Sequence, residues 1–292
     1  MASNIALTGL ARDLEERGKS GKPIRIGLIG SGEMGTDIVT RVAHMSGIEI
    51  GAISELNIPN AHKAVDIAFQ EGGHSREASN ASAMTAAMEA GKVAVTNDAD
   101  LIINNDLIDV VIDATGVPAV GAEIGLRAAI TGHLLLSTLH TKDTVSTPFR
   151  LLDMGAPPFM VATSLQAVLA QRLLRGVCRH CAEPHVTTAQ EQAWVNEVAA
   201  LNGEAPGPVP SVKGRGCSEC NGTGYQGRRG IYEMLELDPD MALAIQRSDA
   251  GAFLIAARRA LKGRTLADRS LALVREGKTS LAEAVRISVD AE

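Results

Sequence analysis

The chain predicts an α/β protein: a doubly wound parallel sheet, then a small four-cysteine subdomain, then a helical C-terminal region. Three observations predict it. Short aliphatic runs alternate with helical stretches as far as residue 137. The first of these runs leads into the glycine-rich turn Gly30-Ser31-Gly32-Glu33-Met34-Gly35. All four cysteines stand in two C-x-x-C pairs, Cys178 with Cys181 and Cys217 with Cys220, with 35 residues between the pairs. A length of 292 residues suits two domains, and a composition 45% hydrophobic but only 2% aromatic makes their cores aliphatic.

Residues 1–22 read as an N-terminal helical extension. Residues 1–12 have no basic segment ahead of an apolar run, so no signal peptide is expected. No run of about 18 apolar residues occurs, hence no membrane span and a cytoplasmic expectation. The net charge of −6 is uneven: residues 1–131 carry ten basic against seventeen acidic side chains, the remainder eighteen against seventeen. Neither half has the basic excess that nucleic-acid binding needs.

Residues 23–29 read as a buried parallel strand, followed by the glycine turn and a helix to residue 44. A second strand over 48–54 ends at Glu55, twenty residues after Gly35. This order of strand, turn, helix, strand and acid is the dinucleotide fingerprint. Gly30 permits the turn, Gly32 lets backbone approach a pyrophosphate at the helix N-terminus, and Gly35 lets helix pack on strand. Glu55 would accept from the ribose hydroxyls, favouring NAD over NADP. The alternative is an α/β unit whose glycines only make a turn. Helices are then expected over 61–69 and 82–90, strands over 93–96 and 107–113, a loop over 114–118 and a helix over 119–130.

Three segments, Ile26 to Gly35, Ala52 to Glu55 and Val110 to Pro118, together resemble the cofactor domain of homoserine-dehydrogenase-like NAD(P)-dependent oxidoreductases, some of which carry a SAF-type domain. The resemblance covers about residues 20–131 and implies that Thr115 and Gly116 lie near the nicotinamide ribose. The catalytic domain expected after it is missing.

From about residue 128 the pattern changes. A strand over 133–137 leads to a loop bearing His140, then a helix over 145–154 and a long amphipathic helix over 161–176, on one face of which Arg172 and Arg175 would suit an anionic partner. The two cysteine pairs can face each other as a tetrahedral zinc cage, the glycines of residues 221–227 permitting a metal knuckle. Two disulfides or four unrelated thiols are the alternatives, disulfides being disfavoured where nothing looks secretory. A loop over 202–211 and two or three closing helices complete the chain.

Thr131-Gly-His-Leu-Leu-Leu-Ser-Thr-Leu-His-Thr141, Arg150-Leu-Leu-Asp-Met-Gly155, Leu169-Ala-Gln-Arg-Leu173, the cysteine pairs and Gly227-Arg-Arg-Gly-Ile-Tyr-Glu233 resemble the C-terminal half of the secretion ATPases of type II secretion and type IV pilus assembly. That resemblance spans about residues 128–288. It implies a truncated RecA-like core over 132–176 continuing the Rossmann-like sheet of 23–131, a four-cysteine zinc subdomain over 177–232 and a helical region over 233–292. It also implies that His140 senses a γ-phosphate or couples subunits. The implied partners are secretion or pilus assembly platform subunits and further copies of the chain, up to a hexamer, with peripheral placement at the inner membrane through those partners.

ATP hydrolysis in that family needs G-x-x-x-x-G-K-[ST]. Gly18-Lys-Ser20 has Asp13 where the first glycine belongs, and Gly277-Lys-Thr279 has Ala272. The acidic segments of the family are missing too, so no autonomous ATPase is expected. The chain reads as a chimera joined inside one α/β repeat, its sheet continuous across the junction and its halves marginally packed or semi-independent.

Overall fold

The computed structural model describes residues 9–289. Residues 1–8, which begin the expected N-terminal extension, and 290–292 lie outside the described residues. The chain divides into two compact units, one of residues up to 140 with 154–156, the other of 141–153 with 157 onward.

The first unit runs α1 (Leu10–Lys19), β1 (Ile24–Ile29), α2 (Glu33–Val42), β2 (Ile48–Ser54), α3 (Ile58–Phe69), β3 (Ser75–Glu77), α4 (Ala81–Glu89), β4 (Val93–Thr96), α5 (Ala99–Ile103), β5 (Val110–Asp113), α6 (Pro118–Ile130) and β6 (Leu134–Leu136). Its six strands form one parallel sheet in the order β3-β4-β2-β1-β5-β6. The inner strands β1, β2, β4 and β5 are rich in aliphatic residues because helices cover both faces of the sheet there, whereas edge strand β3 is Ser-Arg-Glu and edge strand β6 leaves Leu134 and Leu136 exposed. One face packs Leu28, Val39, Ile53 and Val65; the other packs Ile29, Met84, Ile102 and Val111. The winding reverses at β1, with β2 on one side and β5 on the other. That reversal opens a crevice at the carboxyl ends of β1 and β5, the usual ligand position in such sheets. β6, which follows the expected junction, pairs with β5 from Val110↔Leu134 to Ile112↔Leu136, so the sheet is continuous there. The strand expected over 107–113 begins only at Val110, because the Leu107 amide donates to Asn105 Oδ1 at 3.0 Å in a tight turn.

The second unit runs α7 (Thr147–Asp153), α8 (Pro158–Ser164), β7 (Ala167–Val177), β8 (Ala182–Pro184), α9 (Ala189–Asn202), β9 (Val212–Gly214), β10 (Tyr225–Glu236), α10 (Pro239–Gln246), α11 (Ala250–Leu261), α12 (Leu266–Arg275) and α13 (Leu281–Val289). Its spine is the antiparallel ribbon β7–β10, paired from Ala167↔Glu236 to Val177↔Tyr225. One face of the ribbon, with Leu174 and Ile231, packs on Leu266 of α12 and Ile287 of α13. Phe253 of α11 is fully buried and meets Phe149 edge-on at 5.3 Å between ring centres.

The helix expected over 161–176 does not form. Only Pro158–Ser164 is helical, and Ala167–Val177 is a strand. Its leucines, alanines and arginine favour a helix in isolation, but ladder pairing with β10 and an alternation of exposed with less exposed residues override that propensity. Arg172 and Arg175 therefore do not share a face, since residues three apart on a strand point to opposite sides. Four helices, not two or three, follow β10.

The register carries a direct check. Leu169 and Met234 are partners across the ribbon, so the double substitution Leu169→Cys with Met234→Cys should give a cross-linked peptide on mild oxidation, seen by mass spectrometry. A helix over 161–176 would leave the two thiols unlinked.

Candidate functional site

The glycine turn sits in the first unit, at the crevice between β1 and β5. Gly30 has φ +92°, and a side chain there would come within 2.8 Å of the Ala114 carbonyl oxygen. Gly35 is packed so closely on the Gly30 carbonyl that no Cβ fits. Gly32 caps α2, and a Cβ added there meets nothing within 4 Å. The first glycine is thus needed for the turn, the third for helix packing, and the second leaves open space over the helix N-terminus. The amides of Glu33, Met34 and Gly35 form the first turn of α2, where an anion is favoured.

Glu55 ends β2 against this turn. Its Oε2 accepts from the Ser31 amide at 2.8 Å and the Ser31 hydroxyl at 2.9 Å, and its Oε1 accepts from the Asn57 amide at 3.1 Å. Burial alone would raise its pKa, but the Ser31 and Asn57 amides and the Ser31 hydroxyl outweigh it and hold the group below the ordinary carboxylate value. After β5, Asp113 is buried, accepting from the Thr115 amide at 3.0 Å and hydroxyl at 2.8 Å through Oδ1, and from Ser137 at 2.8 Å through Oδ2. Asp113 so fixes the Thr115–Gly116 loop, and Gly116 is exposed with φ +67°.

His140 is exposed in the loop that follows β6. Its neighbours are committed elsewhere: Asp143 accepts from the Ser146 amide at 2.7 Å, just before α7, and the Lys142 carbonyl accepts from Arg172 at 2.8 Å. Gly18-Lys-Ser20 closes α1, whereas Gly277-Lys-Thr279 lies between the end of α12 and Ser280, whose hydroxyl accepts from the Glu283 amide at the start of α13. The C-terminal end of α1 repels phosphate, the reverse of what a phosphate loop needs.

In the second unit the four cysteines converge. The ribbon's β7 ends at Val177, and Cys178 follows it. The pairing of β8 with β9 brings the second knuckle alongside the first. Sulfur separations are 3.9 Å for Cys178–Cys217, 3.8 Å for Cys181–Cys220 and 3.7 Å for Cys217–Cys220, all four atoms lying within 4.8 Å of one another. These are too long for disulfides, and four thiolates at about 2.3 Å from a zinc ion stand about 3.8 Å apart. The donor set and spacing fit tetrahedral zinc. Left-handed Asn221 and glycines 216, 222 and 224 shape the second knuckle. Burial opposes ionisation of Cys220, yet the Cys217 and Gly224 amides, each 3.2 Å from its sulfur, bring it down to about 6. Burial pushes Cys181 up to about 12.

Of the buried carboxylates in this unit, Glu233 and Glu283 tie distant segments together, and sequence reasoning gave neither a role. Glu233 accepts from Thr144 through Oε1 and from the Leu266 amide at 3.0 Å through Oε2, tying the 141–146 loop to the start of α12. Glu283, with 0% of its side chain exposed, accepts from Arg175 Nε at 2.9 Å and NH2 at 2.7 Å, and from Arg286 at 2.9 Å. The Arg175 guanidinium also lies 4.1 Å over the Tyr225 ring, whose hydroxyl meets Ser280 at 2.7 Å. No local pattern announces a pair 108 residues apart.

Burial would raise the Glu283 pKa, but the Arg286 and Arg175 side chains bring it from 4.5 to about 2. A depressed folded-state value gives stability that is full above pH 4.5 and lost as pH falls through about 2. That difference is worth roughly 3 kcal/mol. Glu283→Gln should therefore cost about that much at pH 7 in denaturant unfolding, the gap from the native chain closing toward pH 2. A gap that does not change with pH would contradict this.

The family model described as "Type II/IV secretion system protein" matches residues 119–286. The chain is 38% identical over 168 residues to a type II secretion system protein E of Pseudomonas aeruginosa, covering 57% of this chain and 32% of that protein. It is 36% identical over 167 residues to the type II secretion system ATPase E of Vibrio cholerae, with 57% and 32% covered. A type IV pilus assembly ATPase of Myxococcus xanthus, PilB, is 46% identical over 114 residues, covering 39% of this chain and 20% of that one. The chain thus spans about a third of the length of the curated relatives it matches first. Among the described residues no helix is long and apolar enough to cross a membrane.

Proposed function

The chain belongs to the type II/IV secretion system protein family, on a match over residues 119–286, and we propose that it is a zinc-stabilised assembly module of that family carrying a dinucleotide-binding unit. The observation that carries the reading is the four-thiol cage inside the family-matched segment, with sulfur separations of 3.7–3.9 Å. Zinc would be held by Cys178, Cys181, Cys217 and Cys220, with no position left for a substrate, so its part is to hold the fold. Partners would be platform subunits and further copies of the chain, as befits relatives whose names include secretion and pilus assembly ATPases. His140, in the loop after β6, would couple the chain to a neighbouring subunit.

The dinucleotide unit rests on Gly30, Gly32 and Gly35, each in the conformation or packing its role requires, and on an ionised Glu55 beside them. NAD would lie with its pyrophosphate over the α2 amides, its ribose hydroxyls at Glu55 and its nicotinamide end toward Thr115 and Gly116. Hydrolysis of ATP is not part of the proposal, because neither Gly-Lys-[ST] segment has the first glycine of a phosphate loop: Asp13 and Ala272 stand there. Hydride transfer is not part of it either. The unit binds without turnover.

Native mass spectrometry tests the module. One zinc per chain is expected, in a self-associated species, with Cys217→Ser losing the metal and the cooperative melting of residues 141–289. A metal-free native chain, or a variant that keeps one zinc and melts unchanged, would refute the cage. A strictly monomeric zinc-loaded species would count against the assembly role.

A further inference from the structure

We propose that Ser31 is the specificity-determining residue of the dinucleotide site: it holds the Glu55 carboxylate against the glycine turn and so selects the dinucleotide without a 2′-phosphate. The inference rests on the dinucleotide reading of Gly30–Gly35 and names what that site rejects.

An acid at the end of the second strand discriminates only if it stays in place. A surface glutamate has three rotatable bonds and can swing aside to admit a phosphate. Glu55 cannot do so cheaply. Ser31 delivers two donors to one carboxylate oxygen, its amide at 2.8 Å and its hydroxyl at 2.9 Å, and the Asn57 amide at 3.1 Å takes the other oxygen. Ser31 is itself buried, and its carbonyl accepts from the Thr36 hydroxyl at 3.1 Å, so the donor is fixed to the first turns of α2. A carboxylate offers about four acceptor positions. Three are filled by these donors and the Leu56 amide bears on the group as well, so a ribose hydroxyl would share the remaining acceptor capacity of a carboxylate that is already fixed.

The charge matters as much as the position. The same bonds keep Glu55 ionised, and residues 54–60, Ser-Glu-Leu-Asn-Ile-Pro-Asn, contain no Lys or Arg to balance a phosphate. A 2′-phosphate would meet a fixed anion without a counter-charge from this segment. Leu56, next to Glu55 and 90% exposed, offers an apolar surface on which a base ring could rest without adding charge. The Ser31 amide is consumed by Glu55, so phosphate contacts fall to the amides from Gly32 onward, where a Cβ would meet nothing.

Equilibrium dialysis of the full chain with NAD and with NADP tests this. The native chain should bind NAD more tightly than NADP. Ser31→Ala removes the hydroxyl donor and loosens the carboxylate, so the ratio of the two affinities should fall by roughly one to two orders of magnitude, the value of a hydrogen bond to a charged group. Ser31→Thr, which keeps the hydroxyl, should restore it. In a Glu55→Gln background Ser31→Ala should no longer change the ratio, because the two substitutions act through one bond. A general loosening of the turn would instead weaken both dinucleotides alike and add to Glu55→Gln. An unchanged ratio in Ser31→Ala overturns the inference and leaves the dinucleotide reading standing. Absence of binding of either dinucleotide to the native chain overturns both.

Discussion

Four thiols meeting within a single tetrahedron are the constraint on which the second unit depends. β7 runs into Cys178, and β10 begins shortly after Cys220, so the two strands of the ribbon leave the same point. Between them lies an excursion that includes β8, α9 and β9. Closing a loop of that length costs chain entropy, and a metal held at its root would remove the alternatives to the native register. The ribbon in turn presents Leu174 and Ile231 to α12 and α13, and Arg175 to Glu283. Relaxing the cage therefore reaches the helical core through the register of two strands.

The first unit rests on a different constraint, a backbone turn. Gly30 at φ +92° sends the chain from β1 into α2 while Ala114 closes in from β5. Both strands point their carboxyl ends at one crevice because the sheet order reverses there. The same crevice receives Ser137, whose hydroxyl binds Asp113. Ser137 lies within the family-matched stretch and Asp113 precedes it, so the sheet carries the chain across that boundary with a side-chain bond as well as a β5–β6 ladder.

What the sequence made legible was whatever its local pattern decides. Ile48–Ser54 and Val93–Thr96 are readable to the residue because a mostly buried parallel strand is dominated by aliphatic residues. The convergence of the cysteines was readable because C-x-x-C spacing implies a knuckle. β7 was not, since its composition favours a helix and its strand character comes from β10, some fifty residues on. α9 went unnoticed although Thr188 and Glu191 form a capping box that announces its start. The Arg175–Glu283 pair and the Ser31 hold on Glu55 had no local signature: each depends on two chain segments meeting in the fold.

On the proposed reading the glycine turn, and not a phosphate loop, is the nucleotide site of a secretion-family chain. Calorimetric titration of the intact, zinc-loaded protein with NAD and, separately, with ATP and magnesium tests that claim most directly. The account predicts saturable binding of one NAD per chain and no binding heat from ATP. Saturable ATP binding with NAD inert would contradict it.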